Sequence, residues 1–176
     1  MVFANLFKTK VEAKDFADAL FQYWVIDELK KPKYYEDYVG RWRNSPEFNE
    51  SKGAYVLYVY QVSVVVLALV AAAKKRPEFD KVGPYFREQA LQDVRKSLNV
   101  QEATFDEDVS EAYRNLTTLI FSDPSKNPGL SLEWPRKWIA GFGGNENNPM
   151  KLFEVALLWK TSFRYLCRTF DEVKVI

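Results

Sequence analysis

The stretch Gly53–Ala73 reads GAYVLYVYQVSVVVLALVAAA and contains no charged residue. A helix needs roughly 20 apolar residues to cross a bilayer, so the segment is long enough to do so. It is followed at once by Lys74, Lys75 and Arg76. Whether lipid or protein surrounds this segment therefore decides the fold class.

Features of the segment itself point both ways. A membrane span is favoured by three tyrosines between residues 55 and 60, which form an aromatic belt, and by the basic cluster at the other end. However, the polar residues Gln61 and Ser63 point to nearly opposite sides of a helix, and the three tyrosines and Gln61 shorten the most apolar part to Val62–Ala73. That is the length of a buried helix in a globular protein, so the polar interruptions favour the protein interior.

The rest of the chain favours a helical bundle. The apolar helix is predicted over Pro46–Arg76, with Ser45 as its N-cap and Pro77 ending it. Further helices are predicted over Val11–Lys31, over Pro84–Leu98, from a capping box of Thr104 and Glu107 to Asp123, within Ser131–Phe142, and from an N-cap at Asn148 through an apolar stripe that reaches Val173. Their apolar stripes need a common surface, which an apolar central helix provides. We expect an all-α, single-domain bundle of five or six helices over residues 1–176.

Composition excludes several function classes. The chain has 47% hydrophobic and 28% charged residues and a net charge of +1, so no bulk charge attracts nucleic acid or anionic membranes. It has no histidine, which rules out Ser-His-Asp and Cys-His catalysis and histidine-based zinc sites within the chain. The sequence predicts no cofactor, no metal site and no catalytic residue.

The lone cysteine and the amino-terminal residues indicate in which cellular compartment the protein is expected. Cys167 cannot form an internal disulfide, and beside Leu166 on an amphipathic helix it is predicted to be an inert, partly buried thiol. A single thiol suggests a reducing compartment. Lys8 and Lys10 interrupt the first residues, so no cleaved secretion signal is predicted. We expect a cytoplasmic protein, with the inner or plasma membrane as the alternative.

Two groups of residues have a weak similarity to known types of binding site, a phosphate-binding loop and a metal site. Gly141, Gly143 and Gly144 precede a helix and have the flexibility to present amides to a phosphate, but no GK[ST] follows and Glu146 would repel an anion. A turn with a helix cap is the preferred interpretation. Four acidic residues are clustered at the predicted start of a helix, where the helix dipole stabilises negative charge, so a metal site is not needed to explain them. They are Asp106, Glu107, Asp108 and Glu111.

A buried polar site is also a candidate. At about 100° per residue, Asp27 falls on the apolar face of the first helix. A frayed last turn that lets Asp27 reach water is the preferred explanation. With Asp27 we group the polar residues of the apolar segment, Tyr58, Gln61 and Ser63, as a candidate buried polar site.

Two segments mix tryptophan with cations, and they are the candidate partner-binding residues: Arg41, Trp42 and Arg43, and Trp134, Arg136, Lys137 and Trp138. Trp and Arg are favoured anchors of protein interfaces. Ordinary packing of the tryptophans under loops is the preferred single explanation. Nucleic-acid binding is not expected from two short clusters on a near-neutral chain.

These observations favour a non-catalytic protein-binding domain, such as an adaptor, an inhibitor or an immunity-type partner of another protein. Two alternatives remain. One is a membrane-associated protein anchored by residues 53–73. The other is a small-ligand or metal-dependent enzyme that uses carboxylates, so the sequence leaves enzymatic activity undecided.

Overall fold

Six α-helices, one of which contains the apolar segment, lie in the part of the chain that the computed structural model describes, residues 10–27, 50–98, 100–121 and 132–176. They are α1 (Ala13–Leu20), α2 (Glu50–Ala73), α3 (Val82–Asp93), α4 (Glu102–Phe121), α5 (Glu133–Gly141) and α6 (Pro149–Asp171). π-helical segments continue α1 over Phe21–Asp27 and α3 over Val94–Leu98, and a 3-10 helix, Pro77–Lys81, joins α2 to α3.

The apolar helix α2 is the centre of the bundle. It contacts α3, α4, α5, α6 and the π-helical segment after α1, and Val59, Val64 and Ala68 are fully buried. This confirms the predicted all-α bundle with a central apolar helix. The predicted start at Pro46 lies outside the described residues.

The Gly53–Ala73 part of α2 is long and apolar enough to cross a membrane, and 67% of its most apolar window is buried in protein. The core helix of a soluble protein meets the same criteria of length and composition. Its burial therefore fits the bundle without deciding where the protein resides.

Two glycines allow α2 to pack closely against α5 and against Phe142, which follows α5. A Cβ atom on Gly53 would lie 2.1 Å from Cδ1 of Phe142, and one on Gly141 would lie 2.8 Å from Cγ2 of Val56. Because any larger residue would overlap these side chains, the contact between α2 and α5 depends on both glycines.

An aromatic cluster joins α2, α5 and α6. The ring of Tyr60 on α2 stacks on Trp159 of α6 at 5.2 Å between centroids and lies 4.6 Å from Trp138 of α5. The Tyr60 hydroxyl donates to Oγ of Ser162 at 2.7 Å, and that hydroxyl donates to the Leu158 carbonyl. The polar tip of Tyr60 is thus satisfied inside the core, as a buried phenol requires.

The two ends of the described chain meet in a short parallel ladder that the sequence did not predict. Strand β1 (Lys10–Val11) pairs with β2 (Lys174–Val175), and the Ile176 amide donates to the Val11 carbonyl at 3.0 Å. The helix predicted from Val11 therefore begins at Ala13, since Val11 is used in the ladder. Arg76 donates to the carbonyls of Phe170 at 3.0 Å and Val173 at 2.6 Å, which ties the end of α2 to this region.

The observed starts of α4 and α6 can be compared with the N-terminal caps that the sequence predicts for them. The Asn148 side chain accepts from the amides of Met150 at 3.0 Å and Lys151 at 3.3 Å, which confirms it as the N-cap of α6. The capping box at Thr104 is wrong, because α4 already begins at Glu102 and places Thr104 inside the helix.

Candidate functional site

The predicted buried polar site separates into residues with different environments. Tyr58 is buried and its hydroxyl donates to the Ala90 carbonyl at 3.1 Å. Burial, with a smaller contribution from Asp93, raises the pKa of Tyr58 far above its usual range. Ser63 donates to the Val59 carbonyl at 2.7 Å. Gln61 is 3% exposed, and its Oε1 has no hydrogen-bond partner among the described residues.

Asp27 does not belong to this buried site. It is exposed at the end of the π-helical segment and accepts a hydrogen bond from Nε2 of Gln22 at 2.8 Å. A π-helix has a wider turn than the 3.6-residue period used to project the sequence, so Asp27 leaves the apolar face. The exposure of Asp27 agrees with the expectation that it reaches water, but its cause is the π-helical turn; the residues after Asp27 lie outside the described part of the chain.

The candidate partner-binding residues of α5 also differ in their exposure to solvent. Trp134 and Trp138 are buried in the core, so they are not at the surface as anchors. Arg136 and Lys137 are exposed; Arg136 donates to Oδ1 of Asn147 at 3.0 Å. A binding role for these two cations stays a prediction. Arg41, Trp42 and Arg43 lie outside the described residues.

The predicted first-turn position of the four clustered acids is wrong, because α4 already begins at Glu102, and three of the four contact other helices. Asp106 pairs with Arg87 of α3 at 2.6 Å, and Asp108 accepts from the Tyr55 hydroxyl at 2.7 Å. Glu111 pairs with Lys137 of α5 at 2.6 Å. Within the described residues, no group of three or more metal-ligating side chains is placed to hold an ion.

The glycine segment after α5 is a helix cap. The Gly143 amide donates to the Ala140 carbonyl and the Gly144 amide to the Ile139 carbonyl, both at 2.9 Å, with Gly143 at a φ of 86°. These two hydrogen bonds and the left-handed residue form a Schellman motif. The two amides are therefore engaged within the protein, which agrees with the preferred interpretation of a turn with a cap.

An open apolar groove lies where the C-terminal parts of α2, α4 and α6 meet. We call it the α2 groove; its volume is about 490 Å³. Its floor is formed by α2, one wall by α4 and the other by α6. The lining residues include Leu67, Val70, Ala71, Tyr113, Thr117, Phe121, Phe163, Cys167 and Asp171. The residues on each wall are spaced by four, so each wall is one face of a helix.

Large apolar side chains of the α2 groove are exposed to solvent. Val70 is 39% exposed and Phe121 is 60% exposed. Phe121 packs edge-on against Phe163 at 5.5 Å between ring centroids, which joins the two walls. Ala71 and Ala72 in the floor are small. The groove stays open because these small residues do not fill the space between the walls.

The charged residues of the α2 groove lie at the C-terminal end of α2. Lys74 and Lys75 are exposed, and neither forms an ion pair with a described residue. Burial, and secondarily the charge of Asp171, raise the pKa of the Cys167 thiol to about 11, while Lys75 acts in the opposite direction. The thiol is therefore protonated at neutral pH, which makes it a poor nucleophile.

A second groove of similar volume lies between α2, α3 and α4 and includes Val66 and Val70 in its lining. Two of its lining residues, Arg87 and Asp106, form the ion pair between α3 and α4. Its arginine is paired with Asp106, whereas Lys74 and Lys75 of the α2 groove form no ion pair with a described residue. We therefore take the α2 groove as the candidate site.

Sequence reasoning missed the α2 groove. Tyr113 and Phe163 were assigned to buried stripes, and that pattern is the same whether neighbouring helices touch or diverge. The only local signal was Phe121, an aromatic residue at the end of a helix. A groove formed by three helices depends on their relative placement, which periodicity does not encode.

Comparisons with protein-family models, with curated proteins and with solved structures gave no significant match to this chain. Its function has therefore to be inferred from its own residues.

Proposed function

We propose that the chain is a non-catalytic protein-binding domain, an adaptor, inhibitor or immunity-type partner, that acts in the cytoplasm and binds another protein through the α2 groove. The observation that carries this proposal is the exposure of Val70 and Phe121 beside an open apolar groove. Clustered exposed apolar side chains next to a groove are characteristic of binding sites.

The distribution of polar groups supports a protein partner. A protein interface has an apolar centre and a polar, solvent-accessible rim. The α2 groove has an apolar floor of Leu67, Val70 and Ala71, while Lys74 and Lys75 lie at one end. The thiol of Cys167 is protonated, so the groove presents no activated nucleophile from its single cysteine.

The substitution Val70→Lys tests this proposal, because it places a charge in the groove floor. We expect affinity purification from lysate of the cells that make the protein to recover a partner with the unchanged chain. At least tenfold less of that partner should be recovered with Val70→Lys. The matched control is Phe153→Lys, since Phe153 is 64% exposed on α6 and does not line the groove. Circular dichroism and thermal unfolding verify that both variants fold.

Recovery of the partner by Val70→Lys at the level of the control would contradict the groove as the binding site. Loss of the partner in Val70→Lys but not in Phe121→Lys would assign binding to the second groove, because Val70 lines both grooves and Phe121 lines the α2 groove and not the second one. Failure of the unchanged chain to retain any partner would contradict the function itself.

The second candidate is membrane association, favoured by the length and hydropathy of Gly53–Ala73. Cell fractionation with high-salt and carbonate washes separates the two candidates. We expect the protein in the soluble fraction; retention in carbonate-washed membranes would show that α2 contacts lipid.

A further inference from the structure

Helix α5 shows what kind of element packs between α2, α4 and α6. It is a nine-residue helix that contacts all three of them. Its apolar side chains include Trp134 and Trp138, four residues apart and buried. A short helix with apolar residues on one face is thus already accommodated by these three helices.

The α2 groove continues the face of α2 that α5 covers. On α2, α5 packs near Gly53, Val56 and Tyr60. The groove residues Leu67, Ala71 and Lys74 follow from that set at steps of three, four or seven residues, which keeps them on the same face. The groove is therefore a second packing site farther along α2, on the face that already receives one helix.

The dimensions of the groove suit about two helical turns. The α4 wall extends from Tyr113 to Phe121 and the α6 wall from Phe163 to Asp171. Eight residues of helix rise about 12 Å. The small side chains of Ala71 and Ala72 let the backbone of an incoming helix approach the floor closely.

The positive charge at one end of the groove favours an occupant that carries a negative charge at that end. Lys74 and Lys75 project from the end of α2 without an ion pair to any described residue, and Asp171 offsets only one of the two positive charges. An acidic residue of the occupant would be attracted to this end, because opposite charges across an interface favour association.

We propose that the α2 groove binds a short amphipathic α-helix of the partner protein. The helix inserts apolar side chains spaced at i, i+3 or i+4, and i+7 between α4 and α6, and it carries an acidic residue near Lys74 and Lys75. This inference rests on the proposed function and specifies the structure and charge of the segment that is bound. It belongs to the helix-in-groove mode of peptide recognition.

The probe is a displayed library of helix-forming peptides of about three turns. Every member has apolar residues at i, i+4 and i+7 and a random choice of Glu or Lys at the flanking positions. We expect selection against the full chain to enrich peptides with Glu at one end. Their binding should weaken at least tenfold in Val70→Lys and should persist in Phe153→Lys.

Charge reversal provides a readout that a purely apolar groove would not show. In the double variant Lys74→Glu, Lys75→Glu, the Glu-flanked peptides should bind about tenfold more weakly at low salt, and selection should now enrich Lys-flanked peptides. Since both lysines are exposed, these substitutions leave the core intact, and thermal unfolding verifies it.

Failure to enrich any peptide, enrichment with no preference for Glu, or binding unaffected by Val70→Lys would each overturn the inference. Concentration-dependent self-association through Val70, seen by analytical ultracentrifugation, would assign the groove to a second copy of the chain instead. If the cellular partner is lost in Val70→Lys but is unaffected by reversing Lys74 and Lys75, the proposed function stands and only this inference fails.

Discussion

At the scale of single residues, Gly53 has less room for a Cβ atom than Gly83 or Gly141. The substitution Gly53→Ala would place a methyl group 2.1 Å from the Phe142 ring, so α2 and α5 would have to separate. We expect a loss of about 1–3 kcal/mol in the free energy of unfolding, measured by urea denaturation.

The matched control for this prediction is Gly83→Ala in α3. A Cβ atom on Gly83 meets no heavy atom within 4 Å, so alanine there is expected to be neutral or to stabilise by up to about 1 kcal/mol. Equal destabilisation by the two substitutions would show that the contact with Phe142 is not the cause.

Cys167 provides a second prediction at this scale. The rate of its alkylation by iodoacetamide should rise with a midpoint near the pKa of about 11, above the ordinary value of 9.0, since only the thiolate reacts. Asp171→Asn should lower that midpoint and Lys75→Gln should raise it, because the two charges act in opposite directions. An ordinary thiol rate at pH 8 would contradict this environment.

At the scale of elements, the start of α6 depends on one side chain. Asn148→Ala removes the acceptor for the amides of Met150 and Lys151 and should cost about 1 kcal/mol in urea denaturation. The neighbouring substitution Asn147→Ala removes only an exposed hydrogen bond to Arg136 and should have little effect. Similar losses in both variants would contradict a specific role of the cap.

The elements also show how far the sequence determines this fold. The apolar stripes predicted α1, α3, α4 and α6, and the proline and asparagine at the start of α6 located it correctly. The π-helical end of α1 was missed because periodicity assumes 3.6 residues per turn, and this moved Asp27 off the apolar face. The strands β1 and β2 are too short to have a pattern of their own, and their pairing depends on contacts distant in sequence.

The tryptophans of α5 show the same limit for the candidate site. A spacing of four residues describes both an exposed pair of anchors and a buried pair, and Trp134 and Trp138 are buried. The α2 groove escaped prediction because its lining residues belong to three separate helices. Identifying such a site requires knowing how helices diverge, which tertiary packing decides.

At the scale of the whole molecule, the buried phenol of Tyr58 predicts how stability changes at alkaline pH. Its pKa in the folded state is raised above the ordinary value of 10.0. Below pH 10 the folded and unfolded states both keep this proton, so its contribution is fully present. Above pH 10 the unfolded chain loses the proton first, and the free energy of unfolding should fall by up to about 1.4 kcal/mol per pH unit.

Urea denaturation between pH 7 and pH 11 measures this alkaline fall. Tyr58→Phe should make it shallower, whereas Tyr85→Phe, at a surface position that is 46% exposed, should leave the slope unchanged. A slope that is identical in all three proteins would show that Tyr58 does not carry the effect.

The parallel pairing of Lys10–Val11 with Lys174–Val175 makes a circular permutation of the chain feasible. Because the two ends of the described chain lie side by side, a linker that includes residues 1–9 can join Ile176 to Lys10, and new ends can be opened in the exposed turn at 145–147 between α5 and α6. Such a circular permutant should keep the helical circular dichroism spectrum and the cooperative unfolding of the original chain. Its order of synthesis would then begin with α6, although the packing around α2 would be the same.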